Sequence, residues 1–333
     1  MTGFQNIMIL GGGGFGTALA CVAARAGRSV RLWVRNPALE REINQHHSNS
    51  VYLPGVALPD SILATLDPAS AREADAVLVV TPAQSVRQTL GLFAPYLRPD
   101  VPLLICAKGI ETGTNMLMHQ IAGEIVPDYP VAILSGPSFA ADIANGLPTA
   151  VTLACVDTGA GAALVQAIGT PSFRPYLTPD IIGVEIGGAL KNVIAIACGI
   201  TEGRNLGESA RAALMTRGLA EMTRLTVALG GQAQTMMGLA GIGDLALTCN
   251  SRQSRNFNLG LRLGQGEPLA GIIARSRGVF EGASTAGAAV LIALAAEVDV
   301  PISAAVDAIL NRGADIGIAT AELLSRPFTS EMA

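Results

Sequence analysis

Residues 6–16 read NIMILGGGGFG, and this stretch decides the fold of the N-terminal half of the chain. The apolar run at residues 6–10 predicts a buried strand, and the sequence after the glycines (TALACVAARAG) predicts a helix that ends at Gly27. Residues 29–34 (SVRLWV) predict a second strand. Because a glycine-rich turn here joins a strand to a helix and a further strand, the stretch predicts a dinucleotide-binding βαβ unit.

Three glycines fill the positions of the G-x-G-x-x-G pattern, each with its own physical purpose. Gly11 permits the tight turn, Gly13 permits close approach of a diphosphate, and Gly16 permits close packing of helix on strand. The N-terminus of the helix offers its free N–H groups to the anion. We therefore predict that the loop formed by Gly11, Gly13, Gly14, Phe15 and Gly16 holds a cofactor diphosphate.

The end of the second predicted strand indicates which dinucleotide is bound. An NAD-binding chain usually carries an acidic residue there to accept a hydrogen bond from the ribose 2′-hydroxyl. This chain has Val34-Arg35-Asn36, and the Arg35 guanidinium suits a 2′-phosphate instead. We predict NADP as the preferred cofactor and NAD as the alternative, with Arg35 as an ordinary solvated arginine in the second case.

Four further apolar runs predict strands, at residues 76–80, 102–106, 131–134 and 150–154. Strands that alternate with helical segments predict a parallel, doubly wound sheet of the Rossmann type. Prolines at 171, 175 and 179 predict a loop between the last strand and a long segment with helical spacing only. The expected architecture is α/β, with a Rossmann-type dinucleotide-binding domain at 1–182 and an all-helical substrate-binding and catalytic domain at 183–333.

Composition narrows the class of protein. Hydrophobic residues make up 50% of the chain and charged residues 14%, which favours a large buried core. A net charge of -4 argues against a nucleic acid or an anionic membrane as the main partner. The apolar stretches 193–200 and 286–296 are shorter than a bilayer requires, so we predict core helices and no membrane span.

The five cysteines are dispersed and lack C-x-x-C spacing, which is typical of buried small residues in a reducing compartment. The first residues carry no basic segment followed by a cleavage site. We therefore expect a cytoplasmic protein without a metal site.

Only two of the 22 basic residues are lysines, Lys108 and Lys191. Arginine can replace a surface cation almost anywhere, but it does not give up a proton as a buried lysine can. Lys108 follows the predicted strand 102–106, and the carboxyl ends of strands in an open sheet border the ligand crevice. We therefore expect Lys108 to face a ligand, with a solvated loop lysine as the alternative.

Lys191 lies on a helix whose neighbouring turns carry Gly187, Gly188, Ile194 and Ala195. Such small and apolar surroundings desolvate an ammonium group and lower its pKa toward neutrality. A group with a pKa near 7 is suited to general acid–base catalysis. The alternative is a structural ion pair with a buried carboxylate, for which Glu185 is a candidate.

A third polar cluster lies in the predicted helical domain. Residues 238–244 (GLAGIGD) form a second glycine-rich turn, and Asp244 is placed to cap the helix that follows. Hydroxyl, guanidinium and amide groups come soon afterwards, and together they predict a phosphate-binding set. Its members are Ser251, Arg252, Ser254, Arg255 and Asn256.

These motifs together resemble bacterial NAD(P)-dependent glycerol-3-phosphate dehydrogenase along nearly the whole chain. The resemblance rests on the glycine loop with FGTALA, KGIE at 108–111, SGPSFA at 135–140, GVEIGGALKNVIAIACGI at 183–200, GLAGIGDLALTC at 238–249 and SRN at 254–256. It implies reversible reduction of dihydroxyacetone phosphate to sn-glycerol 3-phosphate, an oxidoreductase step of glycerophospholipid synthesis.

The resemblance also implies a role for individual residues. Lys191 is the general acid–base residue, Asp244 orients it, and Lys108 contacts both substrate and cofactor. Further substrate contacts are Gly136, Ser138, Ser254, Arg255 and Asn256. Further cofactor contacts are Ala140, Arg255, Val279 and Glu281. Homodimers are common in the family, so a homodimer is also expected.

Two departures and two alternative functions stay open at this level. Family members often carry a serine at position 14, and here Gly14 can offer only its backbone N–H. Arg204 and Ser209 also depart from a common pattern, at a segment expected to lie at the rim of the site or at an adjoining interface. A 3-hydroxy acid dehydrogenase of the same build, or a non-catalytic NADPH sensor, would retain much of the same sequence.

Overall fold

An eight-stranded sheet forms the N-terminal half of the protein. The computed structural model describes residues 4–276 and 278–328. The strands are β1 (Asn6–Leu10), β2 (Ser29–Trp33), β3 (Ile62–Thr65), β4 (Ala76–Val79), β5 (Leu103–Ile105), β6 (Val131–Ser135), β7 (Thr149–Cys155) and β8 (Phe173–Thr178). Their order is β3-β2-β1-β4-β5-β6-β7-β8, so the direction of winding reverses between β1 and β4. The Rossmann-type architecture predicted from the glycine loop is confirmed.

One strand pair departs from the predicted parallel sheet. β7 runs antiparallel to β6, with Ile133 opposite Ala154, while the other neighbouring strands are parallel. A parallel crossover needs a connection long enough to return along the sheet, usually a helix of several turns. The helix between β6 and β7 has only five residues, Ala140–Ala144, which is too short for that return.

The loop predicted from the three prolines is wrong, because residues Phe173–Thr178 form β8. β8 is an edge strand that pairs only with β7, and Pro175 lies opposite Val151. Proline is tolerated on an edge strand since its missing N–H is not needed on the open side. The short strand β3, which the sequence analysis did not identify, lies at the opposite edge of the sheet.

Helices cover the sheet and then form the second half of the chain. Those of the first half are α1 (Gly14–Arg25), α2 (Pro37–His46), α3 (Val86–Phe93), α4 (Met118–Ile125), α5 (Ala140–Ala144) and α6 (Thr158–Ile168). Those of the second half are α7 (Ile181–Gly203), α8 (Glu208–Ala228), α9 (Ala233–Met236), α10 (Asp244–Cys249), α11 (Arg255–Gly264), α12 (Leu269–Ala274), α13 (Glu281–Ala295), α14 (Pro301–Asn311) and α15 (Ile316–Leu324).

The long helix α7 is the centre of the helical half. It has 23 residues, and its most apolar window of 18 residues has a mean hydropathy of 1.7, so length and composition alone would allow it to cross a membrane, contrary to the shorter run expected from the sequence. However, 89% of its most apolar window is buried inside the fold. It packs against α8, α10, α11 and α13 as well as β6, which makes it the core helix of this half.

Candidate active site

The glycine loop after β1 has the shape of a diphosphate cradle. Gly11 has a φ of +121°, and a Cβ on Gly16 would overlap the carbonyl oxygen of Gly11. A Cβ on Gly13 would meet nothing within 4 Å, so open space lies directly beside the backbone there. These features fit a dinucleotide whose diphosphate approaches the N-terminus of α1.

The segment before β3 closes one side of this loop. The side chain of Asn49, which is fully buried, donates hydrogen bonds to the Gly12 carbonyl oxygen at 3.0 Å and to Thr17 Oγ1 at 2.8 Å. A Cβ on Gly14 would lie 2.8 Å from the Tyr52 carbonyl oxygen and 3.7 Å from Ala140 Cβ. A serine at position 14 would therefore require this segment to move, which gives the departure at Gly14 a physical reason.

Arg35 is exposed to solvent just after the carboxyl end of β2. Its side chain is exposed and forms no hydrogen bond or ion pair with the residues that the structure describes. Its neighbour Asn36 is already used, because its side-chain oxygen accepts a hydrogen bond from Ala38 N at 2.8 Å and caps α2. The guanidinium is thus available to an anion bound next to the strand end.

The two lysines meet at one buried carboxylate. Lys191 Nζ lies 2.6 Å from Asp244 Oδ1, and Lys108 Nζ lies 2.7 Å from Asp244 Oδ2. Lys191 also donates to Thr248 Oγ1 at 3.0 Å, and Lys108 donates to the Gly136 carbonyl oxygen at 3.0 Å. Each ammonium therefore retains one N–H that these contacts do not use.

The pKa values of both Lys191 and Asp244 are lowered, for different reasons. Burial lowers the pKa of Lys191 to about 8, although Asp244 acts to raise it, and the nearby charge of Lys108 lowers it further. Burial acts to raise the pKa of the Asp244 carboxyl, but the positive charges of Lys108 and Lys191 outweigh it and hold that pKa below its usual range. The group thus holds an ionised carboxylate beside a lysine that can exchange its proton near neutral pH.

Small residues on α7 allow these elements to meet. A Cβ on Gly188 would lie 2.7 Å from Ser135 Oγ and 3.5 Å from Lys108 Cγ. A Cβ on Gly187 would overlap the carbonyl oxygen of Ala240, in the distorted π-helical turn Leu239–Gly243 that precedes Asp244. The two glycines therefore bring the loops after β5 and β6 and the turn before α10 against the same helix.

The predicted cap and the candidate partner of Lys191 are both wrong. Asp244 does not cap α10, because Gly243 occupies the cap position and both Asp244 oxygens bind lysines. Glu185 is not the partner of Lys191, since its oxygens accept from His119 N at 2.8 Å and contact His119 Nδ1 at 2.5 Å. The partner of Lys191 comes from 53 residues farther along the chain.

Thr248 and Asn192 belong to the site although the sequence analysis did not select them. Asn192 Nδ2 donates to the Lys108 carbonyl oxygen at 3.3 Å, and its Oδ1 accepts from Asn256 Nδ2 at 2.9 Å. Asn256 Oδ1 in turn accepts from Gly282 N at 3.2 Å. Thr248 lies one turn after Asp244, a spacing that could have indicated it.

The predicted phosphate-binding set divides into two parts. Ser254 caps α11 by accepting from Phe257 N at 3.2 Å. In the first turn of this helix Arg255 is exposed, and Asn256 is buried beside Asn192. Ser251 and Arg252 serve local structure, because Ser251 Oγ accepts from Gln253 N and Arg252 lies 3.7 Å from Glu202. The structure therefore joins only Asn256 to the lysine group by hydrogen bonds.

Two loops add polar groups around the lysines. Gly136 has a φ of +138°, and its carbonyl oxygen accepts from both Lys108 and Ser138 Oγ, the latter at 2.8 Å. Glu281 begins α13, and its Oε1 accepts from Ala83 N at 3.1 Å. Glu281 Oε2 is buried with no partner among the described residues, and burial raises the pKa of this carboxyl. Val279, two residues earlier, is exposed.

A glycine-rich loop at a helix N-terminus, whose Phe15 ring centroid lies 5.9 Å from Lys108 Nζ, combined with a buried lysine of lowered pKa, is typical of a nicotinamide-dependent dehydrogenase. Within 4–276 and 278–328, no group of three or more His, Cys, Asp or Glu side chains could hold a metal ion. Residues 6–160 match the family model of the NAD-dependent glycerol-3-phosphate dehydrogenase N-terminus, and residues 180–321 match that of its C-terminus. The chain belongs to this family of oxidoreductases.

Individual relatives agree with this assignment. Glycerol-3-phosphate dehydrogenase, NAD(P)+, from Parvibaculum lavamentivorans is 52% identical over 98% of both chains, and that from Maricaulis maris is 51% identical over 100% of both. The solved glycerol-3-phosphate dehydrogenase from Coxiella burnetii is 37% identical, with a TM-score of 0.93 over 97% of this chain and 99% of that one.

Proposed function

We propose that this protein reduces dihydroxyacetone phosphate reversibly to sn-glycerol 3-phosphate with NAD(P)H, in the cytoplasm, for glycerophospholipid synthesis. The observation that carries the proposal is the contact of Lys108 and Lys191 with the two oxygens of Asp244. The names of the relatives, glycerol-3-phosphate dehydrogenase, NAD(P)+, support both the substrate and the cofactor.

In the proposed mechanism the bound cofactor supplies the hydride and Lys191 supplies the proton. The Lys191 ammonium donates through its unused N–H to the carbonyl oxygen of the substrate, which becomes a hydroxyl group, and Lys191 is left as the neutral amine. In the reverse direction the neutral amine takes the hydroxyl proton. Asp244 and Thr248 orient the amine during both steps, since each contacts Nζ directly.

Lys108 contributes a fixed positive charge and a hydrogen-bond donor to the same carbonyl region. Its ammonium is held by Asp244 and the Gly136 carbonyl oxygen, so it does not need to reorganise when the substrate oxygen gains negative character. We assign Gly136 and Ser138 to the rim of this subsite, because the Gly136 carbonyl oxygen accepts from Lys108 and Ser138 Oγ donates to that same oxygen.

The substrate phosphate is proposed to bind at the first turn of α11. The exposed Arg255 guanidinium and the Asn256 amide are donors suited to phosphate, and Ser254 fixes the turn that presents them. The Arg255 guanidinium also lies against Gly278, since a Cβ at that position would overlap it. Gly278 precedes Val279, a proposed cofactor contact, so we propose that Arg255 reaches the cofactor as well. Ala140, Val279 and Glu281 are proposed cofactor contacts.

We further propose that residues 1–182 form the dinucleotide-binding domain and residues 183–333 the substrate-binding and catalytic domain, with a few contacts to each ligand coming from the other domain. α7 begins at Ile181, beside this boundary. NADP is the preferred cofactor in this proposal, supported by the unpartnered guanidinium of Arg35. We also propose that the protein forms a homodimer, which size-exclusion chromatography with light scattering would test.

The test is a spectrophotometric assay of NADPH and NADH oxidation with dihydroxyacetone phosphate. Turnover with this substrate and a higher kcat/KM for NADPH than for NADH are expected, and Arg35→Ala should raise the KM for NADPH alone. Activity on 3-hydroxyisobutyrate without activity on dihydroxyacetone phosphate would favour the 3-hydroxy acid dehydrogenase. Tight NADPH binding without any turnover would favour the sensor.

A further inference from the structure

A buried carboxylate outside the lysine group connects the start of α7, the helix that carries Lys191, to the segment at α9 that leads to Asp244. Asp180 follows β8, is only 6% exposed, and contacts neither lysine. Its Oδ1 accepts from Gly183 N at 2.9 Å and caps α7, the helix that carries Lys191. One oxygen of this side chain is thus committed to the start of the central helix.

The other oxygen of Asp180 holds the segment that leads to Asp244. Asp180 Oδ2 accepts from Gln232 N at 3.0 Å and from Thr235 Oγ1 at 2.5 Å. Gln232 and Thr235 lie 52 and 55 residues away in sequence, immediately before and within α9. A helix cap alone needs one acceptor, so these two additional bonds have a separate structural effect.

Backbone hydrogen bonds continue this connection from Thr235 to Asp244. Gly238 N donates to the Thr235 carbonyl oxygen at 3.1 Å, and Gly243 N donates to the Gly238 carbonyl oxygen at 3.1 Å. Gly243 directly precedes Asp244. The segment also has little freedom to move independently, because a Cβ on Gly241 would overlap the backbone of Met236.

We propose that Asp180 is a positioning residue that fixes the Asp244 segment relative to the N-terminus of α7, and so sets the geometry between Lys191 and Asp244. This inference deepens the proposed function and rests on it for its kinetic readout. A misplacement of a reacting group by about 1 Å can lower a rate by roughly 10²-fold, so a residue that touches no substrate can act strongly on kcat.

Two substitutions separate the two oxygens of Asp180. In Asp180→Asn the amide can accept on one side only, so the cap or the link to Gln232 is lost. Thr235→Val removes one bond to Oδ2 and leaves the cap of α7 intact. Asp157→Asn is the matched control, since Asp157 caps α6 by accepting from Gly159 N and Ala160 N, both at 2.9 Å, and has no second segment to hold.

The kinetic expectation is a loss of kcat with unchanged cofactor binding. We expect kcat to fall by about 10- to 100-fold in Asp180→Asn and by a smaller factor in Thr235→Val, with the Kd for NADPH within about 2-fold of wild type. The double variant should lose little more than Asp180→Asn alone, because both changes break one connection. Asp157→Asn should retain the wild-type kcat.

The chain also permits a readout that does not depend on the substrate. Because Lys108 and Lys191 are its only lysines, protein labelled with ε-¹³C-lysine gives two lysine resonances, both reporting contact with Asp244. We expect both resonances to shift in Asp180→Asn and Thr235→Val and to stay in place in Asp157→Asn. This result would hold even if the wild-type protein did not reduce dihydroxyacetone phosphate, in which case only the proposed function fails.

Unmoved lysine resonances in both variants would overturn the inference, whatever the change in kcat or melting temperature, and Asp180 would then be a helix cap alone. If Asp180→Asn does not fold, Thr235→Val decides the question by the same resonances.

Discussion

Lys108 and Lys191 bind the same carboxylate from two different regions of the molecule. Lys108 comes from the loop after β5, keeps 16% of its side chain exposed, and takes its second contact from a backbone carbonyl. Lys191 comes from the buried helix α7, is 9% exposed, and takes its second contact from the Thr248 hydroxyl. Burial lowers the pKa of Lys191 to about 8. Two lysines that share a carboxylate therefore differ in burial and in their second contact, and we propose different roles for them.

The surroundings of Lys108 favour lysine over arginine. Its Nζ lies between the Gly136 carbonyl oxygen, Asp244 Oδ2 and the face of the Phe15 ring, whose centroid is 5.9 Å away. A Cβ at position 188 would lie 3.5 Å from Lys108 Cγ, so the stem of this side chain also runs past α7. A compact ammonium with three donors satisfies such a space, whereas a planar guanidinium needs more room and a different donor geometry.

The largest expected effect tests the proton role of Lys191. Lys191→Arg keeps the positive charge but removes a proton that can be transferred near neutral pH. We expect kcat for dihydroxyacetone phosphate reduction to fall by about 10²- to 10⁴-fold, with NADPH binding retained. The measurement is steady-state NADPH oxidation together with fluorescence titration of the cofactor. Near-normal turnover would show that Lys191 supplies only a positive charge and does not transfer a proton.

The second prediction concerns the loss of the Asp244 carboxylate, which both lysines contact. Asp244→Asn leaves two adjacent ammonium groups without a counter-charge, which should cost about 3–5 kcal/mol of stability. It should also lower the pKa of Lys191 below 8, so that less ammonium is present at neutral pH, and kcat should fall by about 100-fold or more. Denaturant unfolding and steady-state kinetics measure the two effects.

The control for this variant is Asp307→Asn. Asp307 is also largely buried and pairs with Arg312 at 3.2 Å, but it lies on α14, outside the site. Its kcat should equal that of wild type. An unchanged kcat in Asp244→Asn would contradict the role of Asp244 in orienting Lys191.

The comparison of the two lysines also marks how far the sequence could predict the structure. The glycine loop and Lys191 were predictable, because the spacing of glycines and the small residues of α7 are local patterns. β8 was missed since proline usually excludes a strand, and only its edge position in the folded sheet makes Pro175 acceptable.

The contacts of Asp244 could not be read from local sequence. A carboxylate after a glycine turn predicts a helix cap, and nothing nearby indicates Lys108, which is 136 residues away, or Lys191. The same holds for Asp180, whose second oxygen binds a segment more than 50 residues farther on. Contacts of this kind depend on tertiary packing, which local sequence patterns do not reveal. A family resemblance can imply the role of a residue without revealing its contacts.

The third prediction tests the space around Lys108. Lys108→Arg keeps the charge, but the larger planar group should displace Asp244 or Phe15 from their present contacts. We expect kcat/KM for dihydroxyacetone phosphate to fall by about 10- to 100-fold, a smaller loss than in Lys191→Arg because no proton transfer is removed. Wild-type kcat/KM in this variant would mean that charge alone, and not the compact ammonium, is required.

The smallest expected effect concerns Thr248, the second contact of Lys191, and the pH dependence of kcat/KM. In the wild type, kcat/KM for reduction should fall as pH rises through about 8, because the acid is the Lys191 ammonium, and kcat/KM for oxidation should rise through the same range. The Thr248 hydroxyl accepts a hydrogen bond from that ammonium and so favours its charged form. Thr248→Val should therefore move both transitions to lower pH, by less than about one pH unit.

Thr226→Val is the matched control for this shift. Thr226 is fully buried on α8, and its hydroxyl has no hydrogen-bond partner among the described residues, so its loss should leave both pH transitions in place. The profiles of kcat/KM against pH, measured in both directions for the three proteins, provide the check. If Thr248→Val left the transitions where they are, or moved those of reduction and oxidation apart, the titrating group would not be the Lys191 ammonium that Thr248 contacts.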